Sequence, residues 1–336
     1  MKSDDEKLKE LFNTKETTNF AKTIRKAKVF SILKTVLLSL MIVIILSFVV
    51  LISNAKILNN MAQQKQMDLR TWYDISMPNA YIGNMQYDDR LFTGEIDYVR
   101  YRFLGNKPIA DGSYKEGYGF LLINGIYGDL GYQLFAGSGN LNEITNYNIA
   151  GKRIMKFYHP SVKYDNYINN LDVVDKIGAN KLAEMSLSFD KAYTVDEVRA
   201  MLPKEVTLNW YWVDTYNEKE LSMAEISDKN EKSIKESVVF EENYVYGMKA
   251  LDLLGNKIDK PEEMFIGAIS RGSKDKNVAF IYKNIFNKLS EGKGEVKKEN
   301  LKIIGVVVSG DTDSLKKLKN QNYIKAATLG AVADKY

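Results

Sequence analysis

The most apolar stretch of the chain runs from Thr35 to Ser53. These residues, TVLLSLMIVIILSFVVLIS, include no charged side chain and no proline. As an α-helix they would extend ~28 Å at ~1.5 Å per residue, about the thickness of the hydrocarbon layer of a bilayer. A core helix would normally show a polar stripe, whereas this run is apolar on every side. The pattern predicts a single membrane span over residues 35–53.

The segments on the two sides of this span differ in charge. Residues 17–34 contain five basic side chains and no acid, whereas residues 54–71 contain three basic side chains and Asp68. This asymmetry predicts a cytoplasmic N-terminus and an extracytoplasmic position for residues 54–336, in the cell membrane. The run is longer than the ~7–15 residues of a signal-peptide core and is not followed by an A-x-A cleavage pattern. We therefore expect an uncleaved anchor.

Residues 1–34 form a predicted cytoplasmic leader. Its first sixteen residues favour a short helix with a Ser3–Glu6 capping box. The apolar side chains that we expect to bind a partner are Leu8, Leu11, Phe12, Phe20 and Ile24. The membrane-proximal basic residues are Lys22, Arg25, Lys26 and Lys28. No domain on this side could bury the apolar residues, which favours docking to another protein. Binding of the basic part to anionic lipid is the alternative.

Residues 54–180 are predicted to form a stalk helix and a β-rich segment. Residues from Asn54 to about Arg70 have a helix-forming composition, and the tyrosine-rich stretch that follows is divided by glycine and asparagine. The predicted strands are Ala80–Ile82, Glu95–Phe103, Gly119–Ile123 and Tyr132–Phe135. Turns are expected at Gly105–Pro108 and at Asp111–Ser113.

Residues 181–336 show a weak internal repeat of strand, helix and strand. The first unit has strands at Glu184–Phe189 and Val206–Val213, around a helix that a Thr194–Glu197 capping box begins. The second has strands at Ile303–Ser309 and Tyr323–Leu329, around a helix that begins at Asp311. Twin β-α-β units predict an α+β fold, a ferredoxin-like or similar sandwich.

Three further features of this region lead to expectations. A helix is predicted over Asp275–Ser290, before the second unit, and the charged segment Ser222–Lys260 is expected to be an excursion from the domain. In the strand WYW, Trp210 and Trp212 should face one side and Tyr211 the other. An exposed tyrosine or a ligand shelf could result on one of these sides.

Charge and composition exclude several classes of function. The first 34 residues hold nine Lys/Arg and five Asp/Glu, and subtracting these from totals of 47 and 43 leaves 38 of each sign for the rest. A neutral outer part argues against direct binding of nucleic acid, which needs clustered Lys and Arg. The chain has no cysteine, so disulfides and thiolate metal sites are excluded, and we expect no cofactor.

Both ends of the chain resemble the Sigma factor regulator family. The stretch from Lys28 through the span resembles its N-terminal domain; SLSFDKAYTVDEVRAMLP with LNWYWVDTY, and IIGVVVSGDTDSLKKLKNQNYIKAATLGA, resemble its C-terminal domain. The resemblance implies a membrane-bound anti-sigma factor of Gram-positive bacteria that sequesters an extracytoplasmic-function sigma factor and responds to envelope stress. The leader lacks the His and Cys ligands of zinc-binding anti-sigma factors, so its contacts must be apolar and electrostatic.

Enzyme function is not expected. The single histidine, His159, supports neither a zinc site nor a Ser-His-Asp triad. Ser76-Met77-Pro78 looks like the serine box of type I signal peptidases, but the residue between Met and Pro is missing and no partner lysine motif follows. The remaining alternative is a membrane-anchored protein of envelope assembly or structure without a transcription partner. Whether a second membrane protein takes part stays open.

Overall fold

The computed structural model combines one long apolar N-terminal helix with a remainder rich in β-strands. It divides into two compact units, Met1–Asn59 and Asn60–Tyr336. The structure describes residues 14–120, 134–136, 145–148, 150–222, 224–227, 233–275 and 279–336.

Helix α1 (Thr14–Ile75) contains 62 residues without a break. At ~1.5 Å per residue it is ~93 Å long. It includes the second part of the predicted leader, the whole predicted span and the predicted stalk. Its end lies beyond the expected end near Arg70, because Leu69, Trp72 and Tyr73 recur at helical spacing and are buried. The last turns of α1 therefore belong to a hydrophobic core and are not a solvated stalk.

Three antiparallel strands follow α1 in the order β1-β2-β3: β1 (Tyr81–Asp89), β2 (Thr93–Leu104) and β3 (Lys107–Gly119). The turn predicted to begin at Gly105 is confirmed between β2 and β3. The turn predicted at Asp111–Ser113 is wrong, because these residues lie inside β3. The β2–β3 pairing shifts register there, and Gly112 adopts φ +111°, so the glycine forms a bulge while the Asp111 side chain is buried.

A five-stranded antiparallel sheet organises the C-terminal half, with the order β12-β8-β13-β7-β14. The strands are β7 (Lys181–Tyr193), β8 (Thr207–Val213), β12 (Gly247–Lys249), β13 (Ile303–Asp311) and β14 (Ile324–Asp334). Strands β7 and β8 are both antiparallel to β13 and lie on either side of it. Strands β13 and β14 flank β7 in the same way. Each predicted strand-helix-strand unit thus places its two strands around a strand of the other unit.

Short helices follow the first strand of each unit. The predicted capping box of α3 (Val195–Met201) is confirmed: Thr194 accepts a hydrogen bond from the amide of Glu197, whose side chain bonds back to Thr194. Asp311 caps α6 (Thr312–Lys316) by accepting from the amide of Ser314. The strand-to-helix turns of both units are therefore defined by local sequence.

The remaining short elements connect these sheets. They are β4 (Leu134–Ala136), β5 (Thr145–Tyr147), β6 (Lys156–Phe157), α2 (Val174–Ile177), β9 (Ala224–Ser227), β10 (Ser233–Glu236) and β11 (Phe240–Glu241). Turns of 3₁₀-helix cover Asn170–Val173 and Lys298–Asn300.

The structure corrects three expectations. The region of the helix predicted over Asp275–Ser290 contains α5 (Ala279–Ser290), and a helix that was not predicted, α4 (Pro261–Gly272), precedes it. The segment Ser222–Lys260 is not an excursion, since it supplies the edge strand β12 and buries Phe240 and Val245.

Every member of the WYW triplet is buried, so neither an exposed tyrosine nor a ligand shelf is present in β8. Trp210 and Trp212 pack in one cluster with Phe157 and Phe240. Tyr211 is 1% exposed, and its hydroxyl accepts a hydrogen bond from Arg199 Nε at 3.0 Å. Both faces of the five-stranded sheet are covered here, which the alternation of residue types could not reveal.

Candidate functional site

The leader residues that the structure describes lie on α1 with their side chains in solvent. Phe20 is 70% exposed and Ile24 is 53% exposed. At ~100° per residue these two side chains are ~40° apart and form one apolar stripe. Leu8, Leu11 and Phe12 lie outside the described residues. The structure thus brings together two of the predicted partner-binding residues.

The basic leader residues are exposed and are distributed around the same helix. Lys22, Arg25 and Lys26 lie ~120° or more from the middle of the Phe20–Ile24 stripe, and Lys28 lies ~60° from it. The leader therefore presents an apolar stripe and a basic face, which are different surfaces of one helix.

The candidate membrane span is chemically suited to a hydrocarbon environment. Its side chains are exposed along the whole of residues 35–53, and this is the helix of the described chain that is long and apolar enough to cross a membrane. The hydroxyl groups of Thr35, Ser39 and Ser47 each donate to the carbonyl oxygen four residues earlier, at 3.0, 2.9 and 2.8 Å. These bonds satisfy the polar groups that lipid could not.

In the outer unit, an ionic network is buried where β2 approaches the five-stranded sheet. Arg102, 1% exposed, donates from Nη1 to Glu184 at 2.9 Å and from Nη2 to Glu242 at 2.8 Å. Its Nε lies 2.7 Å from Asp111, which also accepts from Arg100 Nε at 2.7 Å. Three carboxylates thus surround two guanidinium groups, leaving an excess of one negative charge.

The network shifts the pKa values of its carboxyl groups in opposite directions. Burial raises the pKa of Glu242, and the attraction of Arg102 only partly opposes this. Burial alone would also raise the pKa of Asp111, but Arg102 and Arg100 together lower it. Glu242 therefore carries the strained excess of negative charge, while Asp111 is held ionised.

Sequence reasoning missed this network, although a signal for it exists. In YVRYRF, Arg100 and Arg102 are two residues apart in a strand, so they point to the same face between aromatic residues. A pair of arginines on the face that also buries Tyr98 requires buried acids as partners. Which acids these would be depends on tertiary contacts.

A second feature of the outer unit is a cavity of about 610 Å³ beside the end of α1. Arg70, Asp74 and Lys249 lie among its mostly apolar lining residues. Burial lowers the pKa of Lys249 to about 8, and the nearby Asp74 opposes that shift. Burial raises the pKa of Asp74, against the attraction of Lys249 and Arg271.

The residues considered for catalysis have structural partners. Ser76 is fully buried, and its hydroxyl donates to the carbonyl oxygen of Trp72 at 2.9 Å. His159 is 1% exposed; its Nδ1 accepts from the amide of Ser161 at 3.2 Å and its Nε2 lies 3.3 Å from Asp214. Within the described part of the chain, no group of three or more His, Cys, Asp or Glu residues could hold a metal ion.

Comparison with known proteins gives two family matches at different parts of the chain. Residues 21–109 match the model of the Sigma factor regulator N-terminal domain, and residues 174–331 match that of the Sigma factor regulator C-terminal domain. No curated protein and no solved structure matches the chain. The first range includes the candidate span and the two buried arginines; the second includes their partners Glu184 and Glu242.

The two matched ranges are therefore joined by buried ion pairs within one compact unit, and the first of them also carries the membrane-spanning candidate. Domains of this kind are regulatory, and together they support an anti-sigma factor role and interaction with a sigma factor. The chain belongs to the Sigma factor regulator family.

Proposed function

We propose that this protein is a membrane-bound anti-sigma factor that sequesters an extracytoplasmic-function sigma factor through its leader. The observation that carries the proposal is the exposed Phe20–Ile24 stripe on α1, ahead of the candidate span in a chain of this family. Burying each of these side chains against a partner would contribute roughly 1.5–3 kcal/mol. The basic face would accelerate encounter with an acidic partner surface.

Distance along α1 favours a protein over lipid as the partner of this stripe. Phe20 precedes Thr35 by ~22 Å and Ile24 by ~16 Å along the helix axis. The headgroup region adds only ~5–8 Å on each side of the hydrocarbon layer. Because α1 is unbroken between Thr14 and Ile75, a helix that crosses the bilayer holds Phe20 beyond the lipid. Lys28, at ~10 Å, is close enough to meet anionic headgroups.

We propose that the leader is cytoplasmic and that the unit Asn60–Tyr336 is extracytoplasmic, where it responds to an envelope signal. The basic residues before the span support this orientation. The last turns of α1 are buried in the outer core through Leu69 and Trp72, so a change in that core acts directly on the helix that bears the leader. A second membrane protein could bind the same helix.

We further propose that the five-stranded sheet contains a ferredoxin-like sandwich. The order β14-β7-β13-β8 and the parallel direction of the two strands of each unit support this interpretation. We assign no catalytic step to the protein, in keeping with the regulatory character of the family.

Retention of a sigma factor by the full-length chain tests the proposed function. Detergent-solubilised chain, immobilised through a C-terminal tag, is expected to retain an extracytoplasmic-function sigma factor of its own organism. F20D and I24D should reduce retention at least tenfold, because a carboxylate would replace a buried apolar group. F20L is the matched control and should retain the partner.

Two results would contradict the proposal. One is the absence of any retained sigma factor with the intact leader, which would favour the envelope-assembly alternative. The other is unchanged retention by F20D and I24D, which would show that the stripe is not the contact surface.

A further inference from the structure

The cavity beside the end of α1 has the dimensions of a ligand site. Its volume of about 610 Å³ lies within the ~300–1,000 Å³ of small-molecule pockets. It is enclosed by the last turns of α1, the start of β1, the end of β12 with the turn that follows, and Met264 of α4. All of these residues belong to the compact unit Asn60–Tyr336.

The walls of the cavity are apolar and its rim is unusually apolar for an exposed surface. Tyr81 and Leu251 form buried parts of the wall, with no more than 2% of either residue exposed. On the rim, Leu253, Leu254 and Met264 are 51%, 83% and 47% exposed. Apolar side chains grouped at the mouth of a cavity are typical of surfaces that become covered.

The turn that carries this rim is held by its own hydrogen bonds. Oδ1 of Asp252 accepts from the amides of Leu254 and Asn256 at 2.8 and 2.9 Å. Gly255 adopts φ +82°, a conformation that a side chain would disfavour. Leu254 is therefore presented to solvent by a preformed turn.

Two cations at the cavity lack an anionic partner within the described residues. The Lys249 amine lies 4.6 Å from the centre of the Tyr81 ring, and no described residue accepts a hydrogen bond from it. Arg70 forms no ion pair there either. The acid between them, Asp74, lies 3.6 Å from Arg271. The site thus combines an apolar wall with two positive charges that can accept an anion.

We propose that this cavity binds a small amphipathic anion. The apolar part of the ligand packs on Tyr81 and Leu251 beneath Leu254, and its anionic head meets Lys249 and Arg70. A cationic ligand would be repelled by both basic side chains, and a neutral one would leave the half-buried ammonium of Lys249 without an acceptor. The proposal does not depend on the sigma-factor proposal.

Protection of Lys249 from reductive methylation tests the site. Full-length chain in lipid nanodiscs is treated with formaldehyde and cyanoborohydride, with 4-phenylbutyrate as the probe, and modification is read by peptide mass spectrometry. We expect the probe to slow methylation of Lys249 at least fivefold and to leave the exposed Lys257 unchanged. Its neutral amide, 4-phenylbutyramide, should protect much less. Equal protection by acid and amide, or none by the acid, would overturn the proposal.

A pair of surface variants separates the site from general effects of the probe. L254D places a carboxylate on the exposed rim and should abolish protection, while Lys249 without probe reacts as in the parent. L91D, at a leucine that is 56% exposed in the β1–β2 connection, is the matched control and should keep full protection. Retained protection in L254D, or lost protection in L91D, would contradict the assignment.

Discussion

At the scale of single residues, Arg102 bears the largest electrostatic load in the outer unit. It lies within hydrogen-bond or ion-pair distance of Asp111, Glu184 and Glu242, all buried. Such a group cannot be removed without leaving uncompensated charges in a low-dielectric environment. The pairing of strand β2 with the rest of the unit therefore depends on one guanidinium.

Replacing this guanidinium should destabilise the protein severely. R102M is expected to reduce the free energy of unfolding by roughly 3–5 kcal/mol, the cost of breaking a buried ion pair. Thermal unfolding of the full-length chain in detergent micelles is the measurement. R90Q is the control: Arg90 and Asp88 form a pair that is 67% and 56% exposed, so a change of about 1 kcal/mol or less is expected. Similar effects of the two variants would contradict the assigned load.

The raised pKa of Glu242 predicts a pH dependence of stability. Above its ordinary value of 4.5, the folded protein binds a proton that the unfolded chain has already released. Stability from this group is therefore lost as pH rises from 4.5 through the raised pKa. E242Q should remove that decline, which denaturant unfolding at a series of pH values would detect. Asp111, with a lowered pKa, acts below 3.8 and in the opposite direction, so the two windows are separate.

At the scale of elements, helix starts were predictable where a cap is encoded locally. Thr194 and Glu197 begin α3 through reciprocal hydrogen bonds, and Asp311 begins α6. Helix α4 was missed because it has no side-chain cap and includes Gly267, although Pro261 stands at its first position. Its buried Phe265 and Ile269 are a helical pattern that a weak start conceals.

The capping box of α3 leads to a prediction at this scale. T194A should reduce the free energy of unfolding by about 1 kcal/mol, because the amide of Glu197 loses its acceptor. T194S keeps a hydroxyl in the same place and should cost only a small part of that. Chemical unfolding of the two variants beside the parent gives the comparison. If the serine and alanine variants lose the same stability, the hydroxyl is not the source of the effect.

At the scale of the whole molecule, α1 connects two environments with different demands. Along residues 35–53 every side chain is apolar or has its hydroxyl bonded to the helix backbone, whereas near its end Trp72 and Tyr73 pack in a protein core. The same element thus satisfies a hydrocarbon solvent and an aqueous domain. This supports a function in which one end reports on the other.

The proposed orientation can be tested directly because the chain contains no cysteine. In intact cells, Y336C should react with a membrane-impermeant maleimide, since Tyr336 is 89% exposed at the end of the outer unit. S3C should react only after the cells are lysed. The parent, without a thiol, controls for background labelling. The reverse pattern would place the leader outside and contradict the proposed sequestration of a sigma factor.

The sequence by itself determined the features that arise from neighbouring residues. A charge-free run of bilayer length, a charge asymmetry, two caps and four strands of the sheet depend on local periodicity and local hydrogen bonds. Only the tertiary structure decided which distant residues meet. Asn79 and Glu184 are separated by 105 positions, Arg102 and Glu242 by 140, and the cavity joins α1 to a turn after β12. Such contacts depend on how the sheets and the end of α1 pack together, because burial makes each charge require a partner wherever the chain supplies one.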